Sequence, residues 1–154
     1  MGSGNWSVDP RSVVIGMATW AVWLHLLAAA AWLGGGAVHL LAILPAVGEG
    51  PHAAGAARRA QFLTSRAMEA VIVTGFLNLM LRGMASGWVV SRPFVAMLSV
   101  KILLVVVMAG LQVWMGLAWK RDGAAVLGRI RGALTAQVLL AVVVVLLGLG
   151  VRSV

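Results

Sequence analysis

Hydrophobic positions dominate this chain in four long blocks. They run over about residues 13–47, 62–84, 94–119 and 133–151. None shows the narrow apolar stripe of a soluble amphipathic helix. Each block exceeds or approaches the ~20 apolar residues that an α-helix needs to cross the ~30 Å hydrocarbon core of a bilayer. The first is long enough to tilt or protrude. Pro45 and the segment GEGPHAAG close the first block, Arg82-Gly83 ends the second, and Pro93 opens the third. Short polar connections make consecutive helices antiparallel neighbours. The pattern predicts one all-α domain, an integral membrane four-helix bundle covering residues 1–154.

Composition strengthens this reading. Of 154 residues, 62% are hydrophobic and only 10% charged, too little charge for a soluble domain of this size. The start, MGSGNWSVDPRS, has no basic stretch ahead of an apolar run, unlike a cleaved signal. With no cysteine, disulfides and thiolate chemistry are excluded. In such a chain the net charge of +8 points to cytoplasmic loops and anionic lipid, and not to nucleic acid. Arg58, Arg59, Arg66, Lys120, Arg121, Arg129 and Arg131 fall on the first and third connections, against Arg11, Arg82, Arg92 and Arg152 on the other side. This bias predicts a multi-pass protein of a bacterial-type inner membrane with both termini outside.

Ionisable groups within spans are candidates for function. His25 and His39 are fourteen positions apart on the first span, which places them about 40° apart around a helix and ~21 Å apart along it. Trp32 lies between them on the same face, among Ala18, Ala21, Ala28, Ala29, Gly35 and Gly36. Two imidazoles in a trough of small residues fit b-type haem, one or two per chain, ligated by His25 and His39. The spacing resembles that of the haem-ligating helices in the cytochrome b subunit of bc complexes. Histidines that merely hydrogen bond a neighbouring helix fit the same positions. A parallel homodimer that sets each histidine opposite its copy provides bis-histidine ligation; a monomer would turn to Met97 or Met108, or leave a coordination position open.

Lys101, on a stripe with Met97, Met108, Gln112 and Met115, reads either as a partner for a haem propionate or substrate anion, or as an anchor that snorkels to the surface. Arg82 and Arg92 near His25, and Arg58, Arg59 and Arg66 near His39, are further candidates for propionates. Glu69 pairs with Arg66 at helical spacing. Asn78, Gln112 and Gln137 read as interhelical hydrogen-bonding groups. Met17, Met80, Met84 and Met97, all near one end of their spans, offer soft thioethers for Cu(I) or simply fill space.

The segments HLLAAAAWLGGGAVHLLAILP, RRAQFLTSRAMEAVIVTGFLNL and KILLVVVMAGLQVW together resemble the CopD/HemJ group of four-span membrane proteins. The likeness lies in a His followed seven residues later by Trp-x-Gly and a closing Pro, in a basic stretch leading to Thr-Gly, and in Lys101. It covers most of residues 20–150. It implies haem b on His25 and protoporphyrinogen oxidation on the HemJ side, or copper uptake on the CopD side. The sequence departs from HemJ-like third helices at Gln112, where those carry a His, and His39 lies outside the shared pattern. The leading expectation is a b-type haem protein moving electrons within or across the membrane, exchanging them with a quinone or a protein, alone or as a subunit of a respiratory complex. If it is an enzyme, it is a haem-dependent membrane oxidoreductase. The alternative is a copper-handling protein.

Overall fold

A computed structural model describes residues 10–46, 51–89 and 91–150. The chain forms four long helices. The first runs Pro10–Val38 and continues through a π turn, His39–Ile43, into a last α turn, Leu44–Ala46. The second is Pro51–Ser86, the third Arg92–Asp122 and the fourth Leu127–Gly150, entered from a 3₁₀ turn at Gly123–Val126. Among the described residues there is no strand. Four segments, Gly16–Ala46, Gly55–Ser86, Arg92–Asp122 and Leu127–Gly148, are long and apolar enough to span a membrane. The protein is an all-α, multi-pass membrane bundle.

Hydrocarbon forces this outcome, because it offers backbone N–H and C=O groups no partner but each other. Even the run Val142–Val145, β-branched throughout, is helical in the fourth helix.

The helices outrun the apolar blocks. The second begins eleven residues before Phe62, because Pro51 suits a first helical turn and the alanines after it pack. Ala57 and Ala60 are buried. Arg58 and Arg59 are therefore exposed helix positions and not loop residues. Nor does the second helix end at Arg82-Gly83. It turns at Gly87 and Trp88, both with positive φ. The Trp88 N–H donates to the Gly83 carbonyl at 2.9 Å. Gly83 leaves room for the Trp88 ring, since a Cβ at that position would lie 2.6 Å from it. Arg129 and Asp122 close the third connection with a 2.8 Å ion pair.

The first helix packs most extensively on the second, and the third on the fourth. The antiparallel register is set by close approaches. His25 meets Thr74 and Gly75, Trp32 shares a buried cluster with Met68, and Gly35 meets Thr64. Across the other pair, Gln137 bonds Gln112, and Lys101 lies against Gly148. Two apolar clusters result. One, with Leu44, Ala57, Met115, Trp119 and Ile130, fills the arginine-rich end. The other, Trp32, Met68, Met108 and Ala141, crosses the middle.

Candidate functional site

His25 stands half-buried on the first helix, against the second. Its Nδ1 is 3.0 Å from Thr74 Oγ1. The Thr74 hydroxyl donates its own proton to the Ala70 carbonyl at 2.6 Å, so its oxygen is left to accept from Nδ1–H. Donation from Nδ1–H to Thr74 would leave the lone pair on Nε2, with the Val71 carbonyl a further acceptor beside the ring. A histidine that ligates a metal is held in this way, with the second ring nitrogen donating to an oxygen. Gly75 gives the imidazole its seat, since a Cβ there would stand 3.1 Å from Cε1. The Thr-Gly step of the second helix thus positions the ring, one residue by bonding and the next by leaving space.

Among the described residues, cations and no carboxylates stand near this level. Lys101 lies close enough for its charge to act on His25, and Arg82 acts likewise on Lys101. The Lys101 Nζ is 3.6 Å from where a Gly148 Cβ would be. Arg82 lies over the Phe94 ring, 5.4 Å from its centroid, and Arg92 is exposed. Among the described residues the ion pairs are Arg66–Glu69 and Arg129–Asp122, neither of which involves these groups. Met97, half-buried, is one turn from Lys101.

His39 has a different setting. It is 0% exposed, and both ring nitrogens are buried without a partner. Trp32, Gly35 and Gly36 do share its face, but the second and fourth helices cover that face. Cβ positions on Gly35 and Gly36 lie 3.3 Å from Thr64 and 3.8 Å from Val138. Ala21 is buried as well. The trough of small residues is therefore filled by protein. Beside it, Trp32, Gly36, Thr64, Gln112 and Gln137 line a cavity of about 10 Å³, room for roughly one water. A second chain's imidazole cannot reach His39 in this packing. Met108 is buried in the central cluster two turns from the His25 level, away from Nε2. Arg58, Arg59 and Arg66 point outward, with Arg66 paired to Glu69 at 2.6 Å and stacked over Phe62. None of the three joins His39.

The helix changes its winding at His39, and the cause lies six residues on. Pro45 has no N–H and its ring would press on the Leu41 carbonyl of a regular helix. The chain widens into the π turn instead, with the Leu44 N–H donating to the His39 carbonyl.

A polar layer that the sequence only hinted at lies between the two apolar clusters. Gln112 Nε2 donates to Thr64 Oγ1 at 3.2 Å and to Ser65 Oγ at 3.0 Å. Gln137 Nε2 donates to Gln112 Oε1 at 2.8 Å and to the Met108 carbonyl at 3.2 Å. Thr64, Ser65 and Gln61 were not singled out from sequence, although Gln61 and Thr64 are polar at helical spacing in an apolar stretch.

Among the described residues no three His, Cys, Asp or Glu side chains converge on a metal-binding position. Arg152 lies outside the described residues, as do the side chains of His52 and Arg11. No family model matches the chain, and no characterised protein or solved structure matches it.

Proposed function

We propose that this protein binds b-type haem through His25 and serves electron transfer within the membrane. The observation that carries the reading is the 3.0 Å contact of Nδ1 with Thr74 Oγ1, which would hold the ring with Nε2 as the ligating nitrogen. When bound, haem supplies one-electron chemistry. The chain's own work is to hold the imidazole at a set angle through Thr74 and Gly75, and to present Lys101, Arg82 and Arg92 to anionic propionates. A macrocycle on His25 would lie on the outer surface of the first two helices, facing lipid or a second copy. His25 would be the one histidine ligand that each chain supplies. Met97 or the partner copy's His25 would be available as a second protein ligand.

The spectrum of the purified protein tests this. A sharp Soret band with about one haem per chain, lost in His25→Ala while the chain remains inserted, is the expected result. A colourless protein that binds Cu(I) and loses it when Met17, Met80, Met84 or Met97 is replaced would establish the copper-handling reading instead. Oxidation of protoporphyrinogen by the purified protein would identify it as a HemJ-like enzyme.

We propose also that the arginine-rich end faces the cytoplasm of a bacterial-type inner membrane, with both termini outside. Seven Lys and Arg residues lie at that end against four at the other. Protease access at the connections near Arg58 and Lys120 reads this directly. Cleavage from outside would invert the map.

A further inference from the structure

The second helix carries a stripe of exposed side chains on the face turned away from the bundle. Phe62, Arg66, Glu69, Val73 and Phe76 recur at alternating steps of four and three residues, the period of a seam between two helices. All five are exposed, and the Arg66 and Glu69 side chains keep 62% and 58% of their surface. Thr64, Met68 and Gly75 meet the first helix from the opposite side. The stripe runs through the apolar depth of the other helices. The bonds from Gln112 to Thr64 and from Gln137 to Gln112 set the relative levels of the last three helices. In that register Arg58, Arg59, Lys120, Arg129 and Arg131 share one level to within a turn. The contact of Arg82 with Phe94 marks a second charged level at the other end. Along the second helix, Arg59 and Arg82 are ~35 Å apart, enough to enclose the ~30 Å hydrocarbon core. Arg66 lies ~10 Å and Glu69 ~15 Å inward from Arg59. At their depth the third and fourth helices show Val106, Val107 and Leu139, exposed and apolar.

Exposed charge at this depth is costly in lipid. The 2.6 Å contact between Arg66 and Glu69 cancels their net charge, yet it occupies one of the five donors that a guanidinium carries. Snorkelling does not resolve the conflict. Arg66 reaches the basic end only by leaving Glu69, whose short side chain stays in the apolar layer. A protein surface supplies what lipid cannot. We propose that a second copy of this chain covers the stripe: the two second helices pack in parallel along it, and their Arg66–Glu69 pairs join into one neutral four-charge cluster on the two-fold axis. The stripe is complementary to itself. Arg66 and Glu69 occupy successive layers of the seam, ~4.5 Å apart, so an axis along the membrane normal sets each Arg66 beside the partner's Glu69. Both copies insert under the same charge bias, which gives the parallel orientation that this pairing needs. Phe62, Val73 and Phe76 supply the apolar layers on either side and keep lipid from the charges, where their attraction is stronger than in water. His25, Thr74 and Gly75 lie off the stripe, so the seam stands whether or not the chain carries haem.

The chain has no cysteine, so single cysteine substitutions read the seam without background. Val73→Cys and Phe76→Cys, on the stripe, are compared with Val106→Cys and Leu139→Cys, which are similarly exposed on the third and fourth helices. Each full chain is oxidised with copper phenanthroline in phosphatidylcholine–phosphatidylglycerol vesicles at a high ratio of lipid to protein. The expected result is a disulfide-linked dimer from the first two at several-fold the yield of the other two. Equal yields from all four, or no dimer from Val73→Cys and Phe76→Cys, would overturn the inference and leave lipid or a different protein on this face. Energy transfer between chains labelled at the N-terminus with donor or acceptor tests the charges in the same vesicles. Glu69→Gln keeps the shape and sets two Arg66 guanidinium groups side by side without a counter-charge. It should lower the dimer fraction several-fold, and removing a charge from a span does not hinder insertion. Replacing Arg66 with Gln as well removes the repulsion and should recover most of the dimer, since glutamines hydrogen bond across helices. A Glu69→Gln chain that associates as fully as the wild type would also overturn the four-charge cluster.

Discussion

His25 and Thr74 join the first two helices through one hydrogen bond, 3.0 Å from Nδ1 to Oγ1, whose direction is fixed by the bond that Thr74 itself gives to Ala70. Removing the threonine oxygen therefore changes the tautomer preference of a ring that keeps its position. Thr74→Val should retain an inserted, folded protein. If His25 ligates haem as proposed, haem retention should weaken by about 10–100-fold, the usual range for losing the partner of a ligating imidazole. Thr74→Ser should restore most of it. Haem titration of the apoprotein of each variant is the check. Equal affinities for the wild type and Thr74→Val would remove the oxygen from the account.

Gly75 tests the same ring by shape. A methyl at 3.1 Å from Cε1 is tighter than ordinary contact, and the His25 ring cannot withdraw without breaking its bond to Thr74. Gly75→Ala should lower stability and alter the ligand-field spectrum together, and Gly75→Val should do more, costing ~1–3 kcal/mol. Thermal unfolding in detergent and low-temperature electron paramagnetic resonance read the two effects separately. A Gly75→Val protein with wild-type stability and spectrum would show that the ring has space that the packing does not reveal.

The four-helix architecture was legible in the sequence because hydrocarbon allows few alternatives. Twenty apolar residues in a row have only one way to satisfy their backbone. The two histidines were also found correctly on one face, since the helix is regular from His25 to Val38. The environment of that face was not legible. Alanines and glycines beside an imidazole make the same pattern whether a macrocycle or another helix lies on them, and only tertiary packing showed that Thr64 and Val138 occupy the place. The π turn was concealed as well. Pro45 reads as a stop, yet a helix that is already held by its neighbours continues through it. The role of Gln112 as hub of the buried layer depends on its partners Ser65 and Gln137, forty-seven and twenty-five residues away, a relation that no local spacing encodes.

That hub supports a third prediction. Gln137→Leu leaves Gln112 Oε1 and the Met108 carbonyl without their donor, and Gln112→Leu deprives Thr64 and Ser65 of theirs. Each should destabilise the bundle by roughly 0.6–2 kcal/mol, as interhelical hydrogen bonds in membranes do. The double variant should cost less than the two singles added, because the residues act through a shared bond. A double-mutant cycle on unfolding in mixed micelles measures this. Strict additivity would mean that the 2.8 Å contact between the amides contributes nothing.

Gly83 and Trp88 make a fourth. Gly83→Ala places a methyl where the indole lies, so it should destabilise the turn between the second and third helices. In a Trp88→Ala background the same change should be nearly neutral or stabilising, since alanine is the better helix former. Melting temperatures of the four proteins decide it. An equal penalty in both backgrounds would place the cost in the backbone and not in the ring.

Lys101 separates a charge that serves a ligand from one that serves the fold. Its ammonium lies beside Gly148, in the last turns of the fourth helix, which ends at Gly150. Helix C-termini carry partial negative charge from unpaired carbonyls. One role is therefore to complement that end, and here Lys101→Met should lower the melting temperature and leave any bound haem untouched. The other role, which rests on His25 ligating haem, is to face a propionate at the same level of the bundle. A cation near haem favours the reduced form, which carries one positive charge fewer, so its removal must lower the midpoint potential. For a separation of about 10 Å and an effective dielectric constant of about 20, the interaction is ~1.7 kcal/mol, or roughly 70 mV for a one-electron couple. Lys101→Met should then show a potential lower by tens of millivolts, and Lys101→Arg should keep the wild-type value. Salt should not abolish the difference, because a group held between helices is poorly screened. A potentiometric titration of the three proteins, with melting temperatures alongside, assigns the role. A fall in stability at constant potential makes Lys101 a cap on the fourth helix, and a fall in potential at constant stability makes it the counter-charge of a propionate.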